Sequence, residues 1–280
     1  MKFSQSIPIL CLLFITTFIS AQKLTVMTYN IRLDVASDGE NDWSHRKDFF
    51  CAQIQFYEPD IFGIQEAKPN QVIDISNSLI SYAQIGQGRD GNNQGESSNI
   101  YFKKERFKLL ESNTFWLSET PDIVSKGWDA AFNRVCTYGL FEDMQSNKKF
   151  WVFNTHLDHM GQMARTNGID LILKTINQKN TAELPVIFMG DFNSEPTTER
   201  IITLRKAMND TRLVSRQKPF GPSGTFNNFK HDQAVTNLID YVFVSKKPTI
   251  QVNKYAILSD SRDLKYPSDH LPVFVELKMD

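Results

Sequence analysis

The chain has 280 residues, 41% hydrophobic and 12% aromatic, with a formal charge of −1. That is enough apolar material for a large core in one domain or two. The near-neutral balance offers no basic excess for a long duplex footprint, because such binding neutralises many phosphates with Lys and Arg.

Met1 to Gln22 opens with Lys2, runs apolar from Ile7 to Ile19 and ends in Ile19-Ser20-Ala21. This reads as a secretory signal peptide over residues 1–21, cut after Ala21, and implies export to the periplasm or the medium. The run is short for a membrane span. No later stretch is long and apolar enough for one, so no transmembrane segment is expected after cleavage. Cys51 and Cys136 remain in the mature chain. Each lies in an apolar stretch and reads as a small core residue rather than half of a disulfide.

Leu24 to Ile31 reads as a first strand, followed by a polar loop over Leu33–Ser44 with Trp43 as its one large apolar residue. Phe49, Phe50, Ile54 and Tyr57 fall at helical spacing, which predicts a helix over His45–Tyr57 stopped by Pro59. Asp60–Glu66 is a second strand, apolar until it ends in Gln65-Glu66, and Pro69 opens a second helix running to Ile80. Tyr82–Ile85, Asn99–Phe102, Phe107–Trp116, Arg134–Glu142 and Lys149–Leu157 are strand-like, separated by the loop Gly86–Ser98 and the insertion Ser118–Asn133. A long ordered loop in a compact domain, as Ser118–Asn133 would be, is more often functional than decorative. If common phosphate esters were not cleaved, these two loops would be expected to select a narrow substrate. Helices over Gly161–Lys179 and Thr198–Met208 flank a strand from Val186, and Phe220–Thr236 is a loop. Strands over Leu238–Val244, Ile250–Leu258 and Pro272–Leu277 complete the chain. No internal repeat or linker divides it. Many strands with helices in each half predict one α/β domain over residues 22–280 with two packed sheets.

The stretch Val186-Ile187-Phe188-Met189-Gly190-Asp191-Phe192-Asn193 organises the rest. A short apolar run bounded by turn residues reads as a strand buried on both faces. On an extended chain, Asp191 and Asn193 project to the same side. A carboxylate and a carboxamide at the rim of a buried sheet are costly unless they meet a metal, a substrate or each other. An Asx turn uses the same residue types, so both readings stand at this point. Five further places pair a strand end with a polar cluster: Asn30, Glu66, Asn154-Thr155-His156-Leu157-Asp158-His159, Ile239-Asp240-Tyr241 and Ser268-Asp269-His270-Leu271-Pro272. Any one could be trivial. Six together point to a site.

This set, in this order along the mature chain, resembles the endonuclease/exonuclease/phosphatase superfamily, the deoxyribonuclease I-like fold. Phe115-Trp116-Leu117-Ser118-Glu119-Thr120-Pro121, Lys126-Gly127-Trp128-Asp129-Ala130 and His156-Leu157-Asp158-His159 look like a small exported bacterial branch. That branch is often named after the carbon catabolite repressor deadenylases. The resemblance implies a four-layer α/β/β/α sandwich: two packed mixed sheets flanked by helices, with the site along one edge.

It also implies a Mg²⁺- or Mn²⁺-dependent phosphoesterase that hydrolyses a phosphodiester or phosphomonoester by attack of an activated water. Glu66 would ligate the metal, with Asn30 and Asp269 supporting it or its waters. Asp191 would orient and deprotonate the water, and Asn193 would fix Asp191 or a phosphoryl oxygen. His270, held by Asp240, would bind the phosphoryl group. His156 would be a second phosphoryl contact or proton donor. Arg134 matches a phosphate-side position loosely and could equally be a surface residue. His159 and Asp158 could line the substrate rim, or His159 could simply enter a helix. Trp43 and Trp128 could stack on a ring or pack beneath their loops. Arg32 stands two positions after Asn30, where abasic-site endonucleases carry an acid, which argues against their metal arrangement and against DNA repair.

The expected partner is a phosphate-ester substrate, whether small molecule, lipid head group, sugar phosphate or oligonucleotide, bound by a monomer with no stable nucleic-acid partner. The alternatives are an extracytoplasmic nuclease resembling a 3′–5′ exoribonuclease, and a non-catalytic binding module on the same fold.

Overall fold

The structure, a computed structural model, describes residues 23–279. The expected signal peptide lies outside them. The first half runs β1 (Lys23–Asn30), α1 (Trp43–Tyr57), β2 (Ile61–Gln65), α2 (Pro69–Ser78), β3 (Tyr82–Ile85), β4 (Ile100–Lys103) and β5 (Phe107–Trp116). The second runs β6 (Val135–Asp143), β7 (Lys148–His156), α3 (Gln162–Lys179), β8 (Val186–Asp191), α4 (Glu199–Ala207), β9 (Met208–Asp210), α5 (Thr211–Val214), β10 (Asp240–Ser245), β11 (Ile250–Ile257) and β12 (Val273–Met279).

The strands form two six-stranded mixed sheets, ordered β11-β12-β1-β2-β4-β3 and β5-β6-β7-β8-β10-β9. Each has one parallel pair at its centre, β1 with β2 and β7 with β8, joined by a crossover helix, α1 or α3. The expected sandwich of two sheets flanked by helices is the fold observed.

Burial on both faces explains the near-continuous apolar strands. In β1, Leu24 and Val26 join the larger core cluster with Phe153, Phe188 and Val242, while Met27 and Tyr29 face the other way, onto Phe50 and Ile54 of α1. Asn154 of β7 staples the sheets together. It is fully buried, its Nδ2 donates to the Ile64 and Asn99 carbonyls at 2.9 Å, and its Oδ1 accepts from Gln65 Nε2 at 2.7 Å. Gly63 makes this approach possible, since a Cβ there would lie 2.6 Å from the Asn154 side chain.

Three differences from the sequence reading have local causes. The Asp42 side chain accepts from the His45 amide and caps α1, so the helix begins at Trp43, two residues early. The segment read wholly as loop before it contains a 3-10 turn over Ala36–Asn41. The pair β9 and α5 was not anticipated, because three or four residues are too few to show a period. Cys51 and Cys136 are free and buried, as read. Among the described residues no helix is long and apolar enough to cross a membrane.

Candidate active site

The parallel pair of each sheet ends in register at the same rim, Asn30 beside Gln65 in the first and His156 beside Asp191 in the second. Asp240, the first residue of β10, pairs with Asp191 across the strands. A pocket of about 500 Å³ opens where these ends meet. Its walls include Glu66, Arg134, His156, His159, Asp191, Asn193, Asp269 and His270, so the structure gathers most of the residues singled out in the sequence.

The loops that carry these residues are held by buried polar side chains. The Arg46 guanidinium donates to the Ile31 and Pro267 carbonyls at 2.8 Å, tying the chain after β1 to the chain before β12. Ser268 Oγ donates to the Asn30 carbonyl at 2.7 Å. Gln71 of α2 accepts from the Asp34 amide and donates to the Arg32 carbonyl, both at 2.9 Å. That fixes the segment whose Leu33 amide donates to Glu66 Oε2 at 3.1 Å. Glu66 itself has φ 66°, a left-handed conformation that turns the chain out of β2.

Asn30 is fully buried between two carboxylates. Its Nδ2 donates to Glu66 Oε1 at 3.0 Å and to Asp191 Oδ2 at 2.9 Å, while its Oδ1 accepts the Arg32 amide. It therefore acts as a strut between the two acids. Asp269 is buried with weak compensation: Ser268 Oγ lies 3.4 Å away and Arg32 Nη1 3.9 Å away. Burial, partly offset by the His270 charge, raises the Asp269 pKa.

His270 Nδ1 meets Asp240 Oδ2 at 2.9 Å, and its Nε2 lies 3.8 Å from Asp191 Oδ2. Burial opposes a charged imidazole here. The Asp240 charge and hydrogen bond, together with Asp191 and Asp269, outweigh it and push His270 up to about 10. Asp191 is pushed up to about 7 by burial and by Asp240, against the pull of His270, Asn30 and the Asn193 amide. A buried carboxylate that titrates near neutrality beside an imidazolium suits proton transfer at physiological pH. Asp269 and His270, neighbours in sequence, both reach the pocket because they precede β12 and do not alternate as strand residues would.

Asp191 and Asn193 share the pocket for a different reason than expected. β8 stops at Asp191, Asn193 has φ 44°, and its amide donates to Asp191 Oδ1 at 2.8 Å. The Asx turn and the site are thus the same feature. Gly190, at φ 147°, is required because a Cβ would run into the Thr155 carbonyl. Asn193 Nδ2 donates to the Leu157 carbonyl and to His156 Nε2, each at 3.0 Å. His156 Nε2 also lies 3.5 Å from Asp191 Oδ2. Burial and the Arg134 charge hold its pKa well below 6.5, so the imidazole is neutral.

Arg134 is buried and not a surface residue. It donates through Nε to Asp158 Oδ2 at 3.2 Å and lies 3.1 Å from His159 Nδ1 through Nη2. Asp158 also accepts from the Met160 and Gly161 amides, so it anchors the wall and stays out of the pocket rim. His159 lines the pocket, stacked on Phe132 with centroids 5.9 Å apart. Trp43 is a core residue against Phe50 whose Nε1 donates to Asp74, and Trp128 is half-buried with its amide on Glu119. The sequence reading missed Arg89, Glu96, Phe132, Phe226 and Asn237 as lining residues. The first two sit in the Gly-rich loop and Phe132 in the insertion. The loops were flagged, but no motif distinguishes individual residues within them.

Among the described residues one cluster, Asp191, Asp240 and His270, places three potential ligand atoms within 4.8 Å of one another. Two of these residues, Asp240 and His270, are already joined by a hydrogen bond. The carboxylates Glu66 and Asp269, also in the pocket lining, supply further hard oxygen donors.

The chain is similar over most of its length to known proteins. A mannosyl-6-phosphatase from Bacteroides thetaiotaomicron is 35% identical with a TM-score of 0.86, over 91% of this chain and all of that one. A second Bacteroides thetaiotaomicron structure, described as an endonuclease/exonuclease/phosphatase family protein, is 35% identical with a TM-score of 0.87, over 92% of this chain and 98% of its own. Mouse nocturnin is 25% identical over 90% of this chain, and the match spans 65% of nocturnin's length. The family model for the Endonuclease/Exonuclease/phosphatase family matches residues 27–270, from the strand before Asn30 to His270, and the chain belongs to that family.

Proposed function

We propose that the protein is a divalent-metal-dependent phosphomonoesterase acting on the phosphate of a sugar. The observation that carries the reading is Asp191, held by Asn30 and the Asn193 amide and 3.8 Å from a His270 imidazole that Asp240 clamps, in a pocket that Glu66 and Asp269 also line. Asp191 takes a proton from the attacking water, and the Asn193 amide and Asn30 keep its two oxygens aimed. His270 donates from Nε2 to a phosphoryl oxygen as charge grows there, with Asp240 holding the ring in place through Nδ1. Arg134 and His159 hold the remaining phosphoryl oxygens, with Asp158 fixing the guanidinium.

The under-compensated carboxylate of Asp269 and the neighbouring Glu66 fit a hard cation, Mg²⁺ or Mn²⁺. Such a cation would neutralise charge on the phosphoryl and leaving oxygens. His270, charged and bonded to Asp240, does not suit a ligand role, which favours the carboxylate side as the metal's seat. The sugar-phosphate reading draws on the likeness to the mannosyl-6-phosphatase, which this chain matches over that protein's whole length. The apolar, Lys-led stretch over residues 1–21 supports action outside the cytoplasm.

The test is steady-state hydrolysis by the purified protein of hexose 6-phosphates, a nucleoside monophosphate, a phosphodiester and short single-stranded RNA, with Mg²⁺ or Mn²⁺ and with chelator. Chelator-sensitive release of phosphate from a hexose 6-phosphate is the expected result. Cleavage of RNA or the diester alone would overturn the monoester reading, and equal rates with and without chelator would overturn the metal.

A further inference from the structure

One wall of the pocket has no part in the chemistry proposed above. The loop between β3 and β4 folds into a small hairpin. The Arg89 amide donates to the Glu96 carbonyl at 2.8 Å and the Asp90 amide to the Gln94 carbonyl at 3.0 Å. It is pinned from both sides. Trp116 Nε1 donates to the Arg89 carbonyl at 2.6 Å, Asn133 Nδ2 lies 3.2 Å from Asp90 Oδ1, and the Ser97 amide donates to the Ala67 carbonyl at 2.8 Å. Its two inward side chains are Arg89 and Glu96, paired at 2.8 Å with 12% and 15% of their side chains exposed, and both line the pocket. The Arg89 guanidinium lies 4.8 Å over the Phe132 ring.

Glu66, Asp191 and Asp269 have places in the chemistry proposed above, whereas Glu96 has none and adds a further charge that repels the ligand's. Glu96 is kept there by a guanidinium on a rigid loop. One of its oxygens takes Arg89, and the other has no protein donor among the described residues. A carboxylate oxygen held on a pocket wall with no protein donor is placed to accept from a hydroxyl of the ligand.

We propose that Glu96, positioned by Arg89 on the Gly86–Ser98 loop, is a specificity-determining residue that accepts hydrogen bonds from the hydroxyls of a neutral polyol leaving group and turns away a leaving group bearing a second phosphate. The proposal rests on the phosphoesterase reading above and names which part of the substrate the loop recognises. Phe132, half exposed beside Arg89 and His159, supplies an apolar face for the ring of that leaving group.

The experiment compares kcat/KM for mannose 6-phosphate, a hexose 1,6-bisphosphate and p-nitrophenyl phosphate, using the full protein and its Glu96→Gln and Glu96→Asp variants. Loss of a charged hydrogen bond to a hydroxyl is worth about 10- to 100-fold. The ratio of mannose 6-phosphate to aryl phosphate should fall by about that factor in Glu96→Gln, while the ratio of bisphosphate to monophosphate rises. Glu96→Asp keeps the charge but withdraws it, so it should lose the preference for the sugar yet still discriminate against the bisphosphate. It also serves as the readable variant if Glu96→Gln does not fold.

Ratios that stay within about twofold of wild type in both variants would overturn the proposal and leave the phosphoesterase reading intact. A Glu96→Gln effect confined to the Mg²⁺ concentration needed would make Glu96 a metal ligand and also overturn it. Wild-type protein that cleaves none of the three esters with metal present would overturn the phosphoesterase reading, and this inference with it.

Discussion

The two sheets are built alike and carry opposite chemistry. Each has a central parallel pair whose two strands end side by side at the same rim. The first ends in Asn30 and Gln65, followed at once by Glu66, and adds Asp269 from the segment entering β12. The second ends in His156 and Asp191, opposes Asp240 to them, and is walled by Arg134. One half thus presents a hydrogen-bonded carboxylate, Glu66, beside one with little compensation, Asp269. The other presents a carboxylate network around one charged and one neutral imidazole. Asp269 and His270 are consecutive residues, yet one belongs to each half, because the segment before β12 crosses the seam between the sheets. The lesson is that a common strand-end scaffold sets only where side chains converge. On the reading proposed above, which half receives a cation and which receives the phosphoryl group follows from the partners each carboxylate already has.

The sharpest test of that division is to break the second half alone. Asp191→Asn and His270→Ala should each lower kcat by about a thousandfold or more, while thermal unfolding shifts by only a few degrees. If either turned over at the wild-type rate, the assignment of the chemistry to this half would fail. Glu66→Gln should instead raise the Mg²⁺ requirement, read by titrating activity against metal, and so separate the halves.

Breaking the seam comes next. Asn154→Ala removes three buried hydrogen bonds between the sheets and should cost about 3 kcal/mol of stability by denaturant unfolding. A cost within about 0.5 kcal/mol would mean that water replaces the amide without loss.

Asp240→Asn should lower kcat by about a hundredfold, because His270 keeps its neighbours but loses its charged anchor. The same change gives a pH signature in metal-free protein. The folded state holds the His270 proton more tightly than the unfolded chain, whose histidines titrate near 6.5. The stability from the pair is therefore complete below that pH and is lost as pH rises toward about 10. The unfolding-temperature gap between wild type and Asp240→Asn, measured with chelator, should narrow over that range. A gap that widened would reverse the sign assigned to His270.

The smallest effect is expected far from the pocket. Trp43→Phe removes one hydrogen bond to Asp74 and should cost about 1 kcal/mol with no change in kcat. A marked loss of activity would place Trp43 near substrate after all.

Much of this was legible because some signals are local. The apolar run into Gly190-Asp191-Phe192-Asn193, the Pro69 start of α2 and the helical period of α1 depend only on nearby residues. So do the strand ends that carry Asn30, His156, Asp240 and His270, which is why the ordered set pointed to the family and to most of the pocket. Burial on both faces makes a strand apolar wherever it pairs, so the sequence by itself determined the elements, the fold class and the residue types at the site. Only the tertiary structure decided their partners. That Asn30 braces two acids, that Asn193 meets His156, and that Arg134 leans on Asp158 all follow from contacts between segments far apart in the chain. The same holds for Arg89 and Glu96, whose place at the pocket depends on Trp116, Asn133 and Ala67 pinning a loop that has no period of its own. Hydrogen bonds and charges act over a few ångströms in space, and sequence distance does not record which groups folding will bring that close.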